Sequence, residues 1–500
     1  MAIKHNDVIE QAGDYVLKGI ILHNHEGEGI KSNDRGINIA PLVLELNIYE
    51  SLYRNAVVGS VVVLDTQNLI GNLPIQGTER ISFKLSTPGA HGSSAIDYSV
   101  KSGHPMHVYA LTDRAQQGDK AVTYTLHFAS REFLRNIRTK VSKAYSGRID
   151  EIVYSIFKDE DGLDSRKHFD FEKTRNQDKI VIPNLPPMVA IQMLCDRALA
   201  DNSKSAGFHF YETTKGFQFR SWESLCSDSN GNPWPPKQIF EYTQTAQINQ
   251  REENIRINGQ GREILSAYEQ VESYRFINSS HDTAANQAIG TYASRVITHN
   301  LYDKSYREDD YSFHDTFNDS RHTDKGRNRF PVVNTIVDYD NKGLSDYPEA
   351  NICLISSTRF AHNEDTGAYG IDADQDGKTY AKLDALKKSI TSGRTLELTV
   401  KGQSYLSAGD IIEFKLPDIN ANSDQRSRLD PQAAGRYIIT QLRHRVIDED
   451  YINIIECVKD GVYKSYGSQN ITNYTNIAGE QPKRKVPRDI SQLQNPIADH

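Results

Sequence analysis

The chain has 500 residues, 37% hydrophobic and 25% charged, with a formal net charge of −8. Such a length predicts about three or four domains, since a single core stops growing near ~250–300 residues. Well-mixed acids and bases with a negative balance argue against a protein that grips nucleic acid by its phosphates, though not against one that nucleic acid passes. Apolar runs fall short of the ~20 residues of a membrane helix, and M-A-I-K-H-N-D lacks the apolar core of a signal peptide. The expected setting is a cytoplasm, or something assembled there, with no membrane insertion.

Residues 1–130 read as antiparallel β, a barrel or a sandwich. P-L-V-L-E-L-N-I-Y-E alternates, placing Leu42, Leu44, Leu46 and Ile48 on one face. V-V-G-S-V-V-V-L-D (57–65) is apolar on both faces and predicts cover on both. Pro74 in L-I-G-N-L-P-I-Q-G marks an edge or a turn. E-R-I-S-F-K-L-S puts Ile81, Phe83 and Leu85 on one side, and H-V-Y-A-L-T-D-R with V-T-Y-T-L-H-F makes a hairpin.

The period changes over 131–240. Ser130 caps a helix with Phe133, Leu134, Ile137 and Val141 on one face. D-E-I-V-Y-S-I-F is a second helix, P-P-M-V-A-I-Q-M-L-C a third with Pro in its first turn, and a β-hairpin turns at Lys215-Gly216. This is a mixed α+β domain. Residues 241–310 carry weaker helix and strand signals. The segment 311–384 reads as a polar, irregular insertion ending in a short helix, 380–393, that stops on Gly393. T-L-E-L-T-V, I-I-E-F-K-L, R-Y-I-I-T-Q-L-R-H-R-V and Y-I-N-I-I-E-C-V then form a second β domain, so 241–310 and 385–462 belong together. Residues 463–500 are too polar to fold alone and predict an extended tail lying on a neighbouring chain.

Sites for chemistry are few. Asp372, Asp374 and Asp376 with Gly377 match the start of a calcium loop, but the twelfth position is Leu383 where a bidentate Glu is needed. A solvated turn is the simpler reading. His23 with His25, and His104 with His107, each offer two ligands and no third. G-Q-G-R-E (259–263) lacks the strand–helix frame of a dinucleotide loop. G-x-S-x-G, H-E-x-x-H and the Walker pattern do not occur. Cys195, Cys226, Cys353 and Cys457 are scattered as core thiols are. No catalytic, cofactor or metal site is expected.

One phrase recurs. G-T-E-R-I-S-F-K-L near the start and A-G-D-I-I-E-F-K-L near the end share I-x-F-K-L, at Ile81, Phe83, Lys84, Leu85 and Ile412, Phe414, Lys415, Leu416. Both strands follow a Gly turn (Gly77, Gly409) and precede a proline (Pro88, Pro417). Together with Y-E-S-L-Y-R-N-A-V-V-G-S-V-V-V-L-D, L-P-I-Q-G-T-E-R-I, Y-T-L-H-F-A-S-R-E-F-L-R-N, G-T-Y-A-S-R-V-I-T-H-N-L-Y-D-K-S-Y (290–306) and T-V-K-G-Q-S-Y-L-S-A-G-D-I-I-E-F-K-L-P, this order resembles the central baseplate hub protein of contractile-tailed bacteriophages. It is more distantly similar to the N-terminal part of type VI secretion spike proteins. The resemblance spans roughly residues 40–460, and 311–375 and the tail match it least.

The resemblance implies an α+β, mainly β chain with two antiparallel β-barrel tube-like domains, 1–130 and 241–310 with 385–462, around an α+β domain and an irregular insertion. It implies a structural virion protein assembled in the host cytoplasm: a homotrimer whose pseudo-sixfold ring adapts a sixfold tail tube protein to a threefold central spike protein among other baseplate proteins. DNA would pass through a neutral or acidic channel without specific binding. The alternatives are a hub-associated cell-wall-degrading enzyme and a type VI secretion spike-like protein. Equivalent placement of the two I-x-F-K-L strands is the expectation most open to direct inspection.

Overall fold

The computed structural model describes residues 11–24, 36–72, 75–88, 95–118, 120–175, 177–201, 205, 207–242, 266–278, 283–300, 304, 306–324, 334, 341–350, 352–357, 360–362, 369–371, 393–418 and 429–463. Alternation of apolar and polar residues makes the first strands: β1 (Val16–His23), β2 (Ile37–Asn38), β3 (Val43–Ser51), β4 (Val58–Asp65), β5 (Arg80–Ser86), β6 (Ile96–Asp97), β7 (Met106–Gln117) and β8 (Ala121–Ala129). Their inward residues, among them Leu46, Ile48, Val61, Ile81, Phe83 and Phe128, form one core.

The next region mixes elements. β9 (Val141–Arg148) pairs with β11 (Gln177–Leu185), and β10 (Phe169–Phe171), β12 (Phe208–Thr213) and β13 (Gly216–Ser221) make a second small sheet. Helices Ile149–Lys158 and Pro187–Cys195 contribute Ile152, Ile156, Phe157 and Leu194 to a core shared with Phe208 and Phe217.

β14 (Gln238–Glu241) and β15 (Val271–Asn278) follow. A separate sheet holds β16 (Ala293–Asn300), β17 (Tyr306–Ser312) and β18 (Ile352–Ser357), and β19 (Phe360–His362) pairs with β20 (Tyr369–Ile371). The last strands are β21 (Arg394–Lys401), β22 (Ile411–Lys415), β23 (Gly435–Ile447) and β24 (Asp450–Lys459). Their core contains Leu396, Leu398, Phe414, Tyr437 and Ile455.

β-structure dominates, and most pairs are antiparallel. Fourteen of the described strands join one sheet, because β3 pairs antiparallel with β23 across Glu45–Ser51 and Gln441–Ile447. The two halves of this sheet repeat one another. Pairing runs β3-β4-β8-β7-β5-β1 in the first and β15-β21-β24-β23-β22-β14 in the second.

The registers repeat as well. Ile81 pairs with Met106 and Arg80 with His107, while Val108 donates its N–H to the Glu79 carbonyl at 2.9 Å. Ile412 pairs with Tyr437 and Ile411 with Ile438, while Ile439 donates to the Asp410 carbonyl at 2.9 Å. The β7–β8 ladder is interrupted between Val108 and Ala110, and the β23–β24 ladder between Ile439 and Gln441. The β3–β4 ladder slips between Val43 and Glu45, and β15–β21 between Val271 and Ser273. Matching bulges are inherited features of a strand path, since each one redirects the sheet.

Both entry turns use a left-handed glycine, one position apart in the shared register. Gly77 and Gly409 have φ of 85° and 89°, where a side chain would be strained. The Glu79 carboxylate accepts N–H bonds from Gln76 (2.6 Å) and Gly77 (2.9 Å), and Asp410 accepts from Ser407 at 2.9 Å. The repeated phrase therefore marks counterpart strands, β5 and β22. One neighbour departs from the pattern: β1 lies antiparallel to β5, with Ile20 opposite Phe83, whereas β14 lies parallel to β22, with Phe240 opposite Phe414.

Several expectations are corrected. The described strands make no closed ladder; the two edges of the second half meet only at an isolated bridge, Glu241 to Gln270. Leu44 leaves the predicted apolar face and is 40% exposed, because the bulge between Val43 and Glu45 breaks the alternation. The helix after Ser130 ends at Arg138, so Val141 opens β9 instead, and Ile137 is 61% exposed. The segment 311–384 is not wholly irregular: β18 pairs in parallel with β16. Pro74, residues 380–392 of the expected helix and the tail from 464 onward lie outside the described residues.

Candidate assembly surface

The face of the large sheet opposite the cores is the most extensive functional candidate. Pairing aligns Arg275, Glu397, Glu456, Gln441 and Ser51 in one row. Lys401, Ile452, Arg445, Asn47, Ser60, His127 and Ala110 form another. Side chains alternate across a strand, so these rows share one surface that spans both halves.

Arg275, Lys401, Arg443 and Arg445 on this face are paired within the chain. Glu45 accepts from Arg445 Nε at 2.8 Å and Arg443 Nη2 at 3.0 Å, and Arg443 Nε also donates to Asn47 Oδ1 at 2.9 Å. Burial alone would raise the Glu45 pKa, but the Arg445 and Asn47 bonds outweigh it and hold the carboxyl below its usual range. Arg275 pairs with Glu397 at 3.0 Å, and Lys401 with Glu272 at 3.0 Å. Such half-exposed pairs contribute little stability each, about 0–1 kcal/mol, but they set the local field. Glu397 and Glu456 face each other directly, a like-charge contact eased by Arg275 on one side and Gln441, 3.0 Å from Glu456, on the other. Where the halves meet, a groove of about 530 Å³ is lined by Tyr49, Arg54, Tyr109, His127, Glu397 and Glu456, among others. Tyr109 stands at the β7 bulge and is 42% exposed.

Behind this face two buried charge sites tie the regions together. The Glu50 carboxylate, at the end of β3, accepts the backbone N–H of Ala408 at 2.9 Å and of Thr214 at 2.8 Å. Burial pushes its pKa up, against the pull of those two donors. Lys167 lies 2.9 Å from Glu132 and 2.5 Å from Glu212, and Glu212 also accepts the Val57 N–H at 2.9 Å. The α+β core is thereby fastened to both halves of the sheet. These are the residues that sequence reading missed. Nothing in a local window distinguishes Glu50, Glu132, Lys167 or Glu212 from solvated charges.

The residues singled out by spacing do not converge. Asp372, Asp374, Asp376, His25 and 259–263 lie outside the described residues, and among the described residues no group of three or more His, Cys, Asp or Glu could hold a metal. His23 meets Ser82 at 2.8 Å, and burial, then Arg80, lowers its pKa. Burial also lowers His104, and it brings His107 down to about 4. Cys195, Cys226 and Cys457 are buried cysteines packed in the hydrophobic cores.

One histidine pair resembles a catalytic dyad. His322 Nδ1 is 2.7 Å from Asp460 Oδ2, its Nε2 is 2.5 Å from the Phe317 carbonyl, and its ring stacks on Phe317 at 3.6 Å. Both nitrogens are engaged, so the ring has no position left for a substrate proton. Burial opposes its charge, but Asp460 outweighs burial and holds the His322 pKa above its ordinary value; Asp460 is in turn held below the carboxylate range. The pair is at full strength between ~pH 4, the unfolded Asp value, and ~6.5, the unfolded His value. A raised histidine pKa loses its contribution as pH climbs through the folded value. Denaturation midpoints are thus expected to fall from pH 6 to pH 9 in the native chain, and His322→Gln is expected to flatten that slope.

No family model and no curated protein matches the chain by sequence. In structure it is similar to the tail protein from Neisseria meningitidis MC58, at 9% identity over 90% of this chain and 98% of that one, with a TM-score of 0.49. It is similar to the 43 kDa tail protein of prophage MuSo2 from Shewanella oneidensis, at 9% identity over 89% and 99% of the two chains, TM-score 0.46. A third similar structure is the E. coli c3393 protein, described as a component of the type VI secretion system with structural similarity to T4 bacteriophage tail proteins gp27 and gp5. Identity there is 9% over 85% of this chain and 76% of that one, TM-score 0.37.

Proposed function

We propose that this chain is a structural baseplate hub component of a phage-like tail, acting by assembly and not by catalysis. In this reading three copies close into a ring, and each contributes its two repeated halves as tube-like, barrel-forming domains. A threefold assembly then offers six similar faces to a sixfold tail tube and a threefold face to a central spike. The observation that carries the reading is the duplicated strand path, with its matching registers and bulges, joined edge to edge in one chain. A single chain needs the same unit twice when a threefold ring must present sixfold repetition, because closed symmetry supplies only three copies.

The polar sheet face is the proposed channel lining. A bore through which DNA slides must avoid unpaired arrays of Lys and Arg, because each free phosphate contact adds affinity. Arg275, Lys401, Arg443 and Arg445 are instead paired within the chain. Size-exclusion chromatography with light scattering tests the ring: the expected mass is three times the 56.5 kDa chain. A protein that stays monomeric at assembly concentrations counts against it, and a continuous basic bore in the assembled ring counts against the channel.

A further inference from the structure

Among the described residues the large sheet keeps several free strand edges, and two of them, on β15 and on the outer part of β7, belong to counterparts of the strands that join its halves. β15 pairs only with β21 along one side. β7 pairs with β8 from His107 to Gln117, but with β5 only at Met106 and His107. Its remaining edge runs on past Tyr109, and Thr112–Gln117 are exposed. Free edges present rows of N–H and C=O groups ready for another strand.

The internal repeat says which strand. β15 is the counterpart of β3, and β7 is the counterpart of β23. Within the chain, β3 and β23 are the two strands that join the halves. β23 also changes partner along its length: Gly435–Ile438 pair with β22, and Gln441–Ile447 pair with β3. The unpartnered stretch of β7 is the counterpart of the stretch of β23 that binds β3.

We propose that β15 of one copy pairs antiparallel with the outer part of β7 of the next copy, reproducing the β3–β23 junction between chains. The proposal rests on the ring reading and names its seam. The register follows from the ladders. Asn47 lies opposite Arg445, and Glu45 opposite Ile447. Tracing counterparts through β4 with β8 and through β21 with β24 equates Asn47 with Arg275 and Glu45 with Ser273. The partners Arg445 and Ile447 correspond to Ala115 and Gln117. Arg275 therefore faces Ala115 of the next copy, and Ser273 faces its Gln117. β7 carries one feature absent from β23, an irregularity between Thr112 and Ala115 with Asp113 at φ 55°. Such a kink keeps an exposed edge from pairing indiscriminately before the right strand arrives.

Paired cysteines test this, since cross-strand positions fall within disulfide reach, roughly 4.4–6.8 Å between Cα atoms. A chain carrying Arg275→Cys with Ala115→Cys is expected to give covalent dimers and trimers on a non-reducing gel after mild oxidation. Arg275→Cys with Gln117→Cys, two residues out of register, is expected to give at least tenfold less. Asn47→Cys with Arg445→Cys is the control at the in-chain junction, and the wild-type chain is the blank. An oligomer by light scattering that forms no 275–115 link overturns the seam and leaves the ring reading standing. Equal linking by the off-register pair overturns the register. A chain that remains monomeric under the same conditions overturns ring and seam together.

Discussion

Lys167→Met is expected to destabilise the protein by about 3–5 kcal/mol, the usual cost of removing one partner from a buried charge cluster. The lysine is 8% exposed, and Glu132 and Glu212 are 2% and 1% exposed. Burial pulls the Lys167 pKa down, yet the two carboxylates outweigh burial and hold it above its ordinary value. Glu132 is likewise raised by burial and brought below the carboxylate range by Lys167 and Ser165, whereas for Glu212 burial prevails and its pKa is raised. Methionine preserves length and removes the charge, leaving two carboxylates that repel each other in a dry site. Their folded pKa values then rise above the unfolded ones, so the variant's stability is greatest at low pH and falls as pH climbs. Urea denaturation at pH 5 and pH 8 checks this: the deficit against wild type is expected to be larger at pH 8.

The second large effect concerns the repeated strands. Phe83→Asp and Phe414→Asp are each expected to prevent folding, since an unpaired carboxylate in a core costs several kcal/mol against a total stability of only about 5–15 kcal/mol. Phe83 packs edge-on against Tyr98 and Phe128, with ring centres 5.4 and 5.8 Å away, and Phe414 lies 5.7 Å from Tyr274. Lys84→Asp, on the opposite face of the same strand, is expected to leave folding intact, because it exchanges a half-exposed ion pair with Asp97 for a half-exposed like-charge contact that costs far less than a buried carboxylate. Soluble expression and circular dichroism of the three variants decide it; a folded Phe414→Asp would show that the second core does not depend on its counterpart strand.

Strand identity was legible wherever one face is buried and the other wet. Ile81, Phe83 and Leu85 declare β5, and Leu396, Leu398 and Val400 declare β21, because period-two alternation is a direct image of a two-sided sheet. A bulge leaves no mark in strict alternation, and so period two puts Leu44 on the wrong face. The helix after Ser130 was overextended because Val141 happens to continue its helical period, although in space it begins β9. The I-x-F-K-L echo points to the duplication, but its proof lies in pairing register, which no single sequence displays. The charged knots at Glu50 and Lys167 escaped for a related reason. Their partners are distant in the chain, and a carboxylate bonded to a remote backbone N–H leaves no local pattern.

Glu50 carries a consequence for how the molecule opens. Its two oxygens hold the amides of Ala408 and Thr214, so one side chain on β3 anchors the turn before β22 and the hairpin of the α+β region at once. Detaching any of the three exposes a buried acceptor stripped of its donors, a penalty of about 1–3 kcal/mol for each group left unpaired. Partial opening at any one of these three places therefore carries an added cost, which couples the regions as folding units. Hydrogen exchange should register this as shared protection: the Ala408 and Thr214 amides are expected to show a similar opening free energy, and Glu50→Ala is expected to lower it for both.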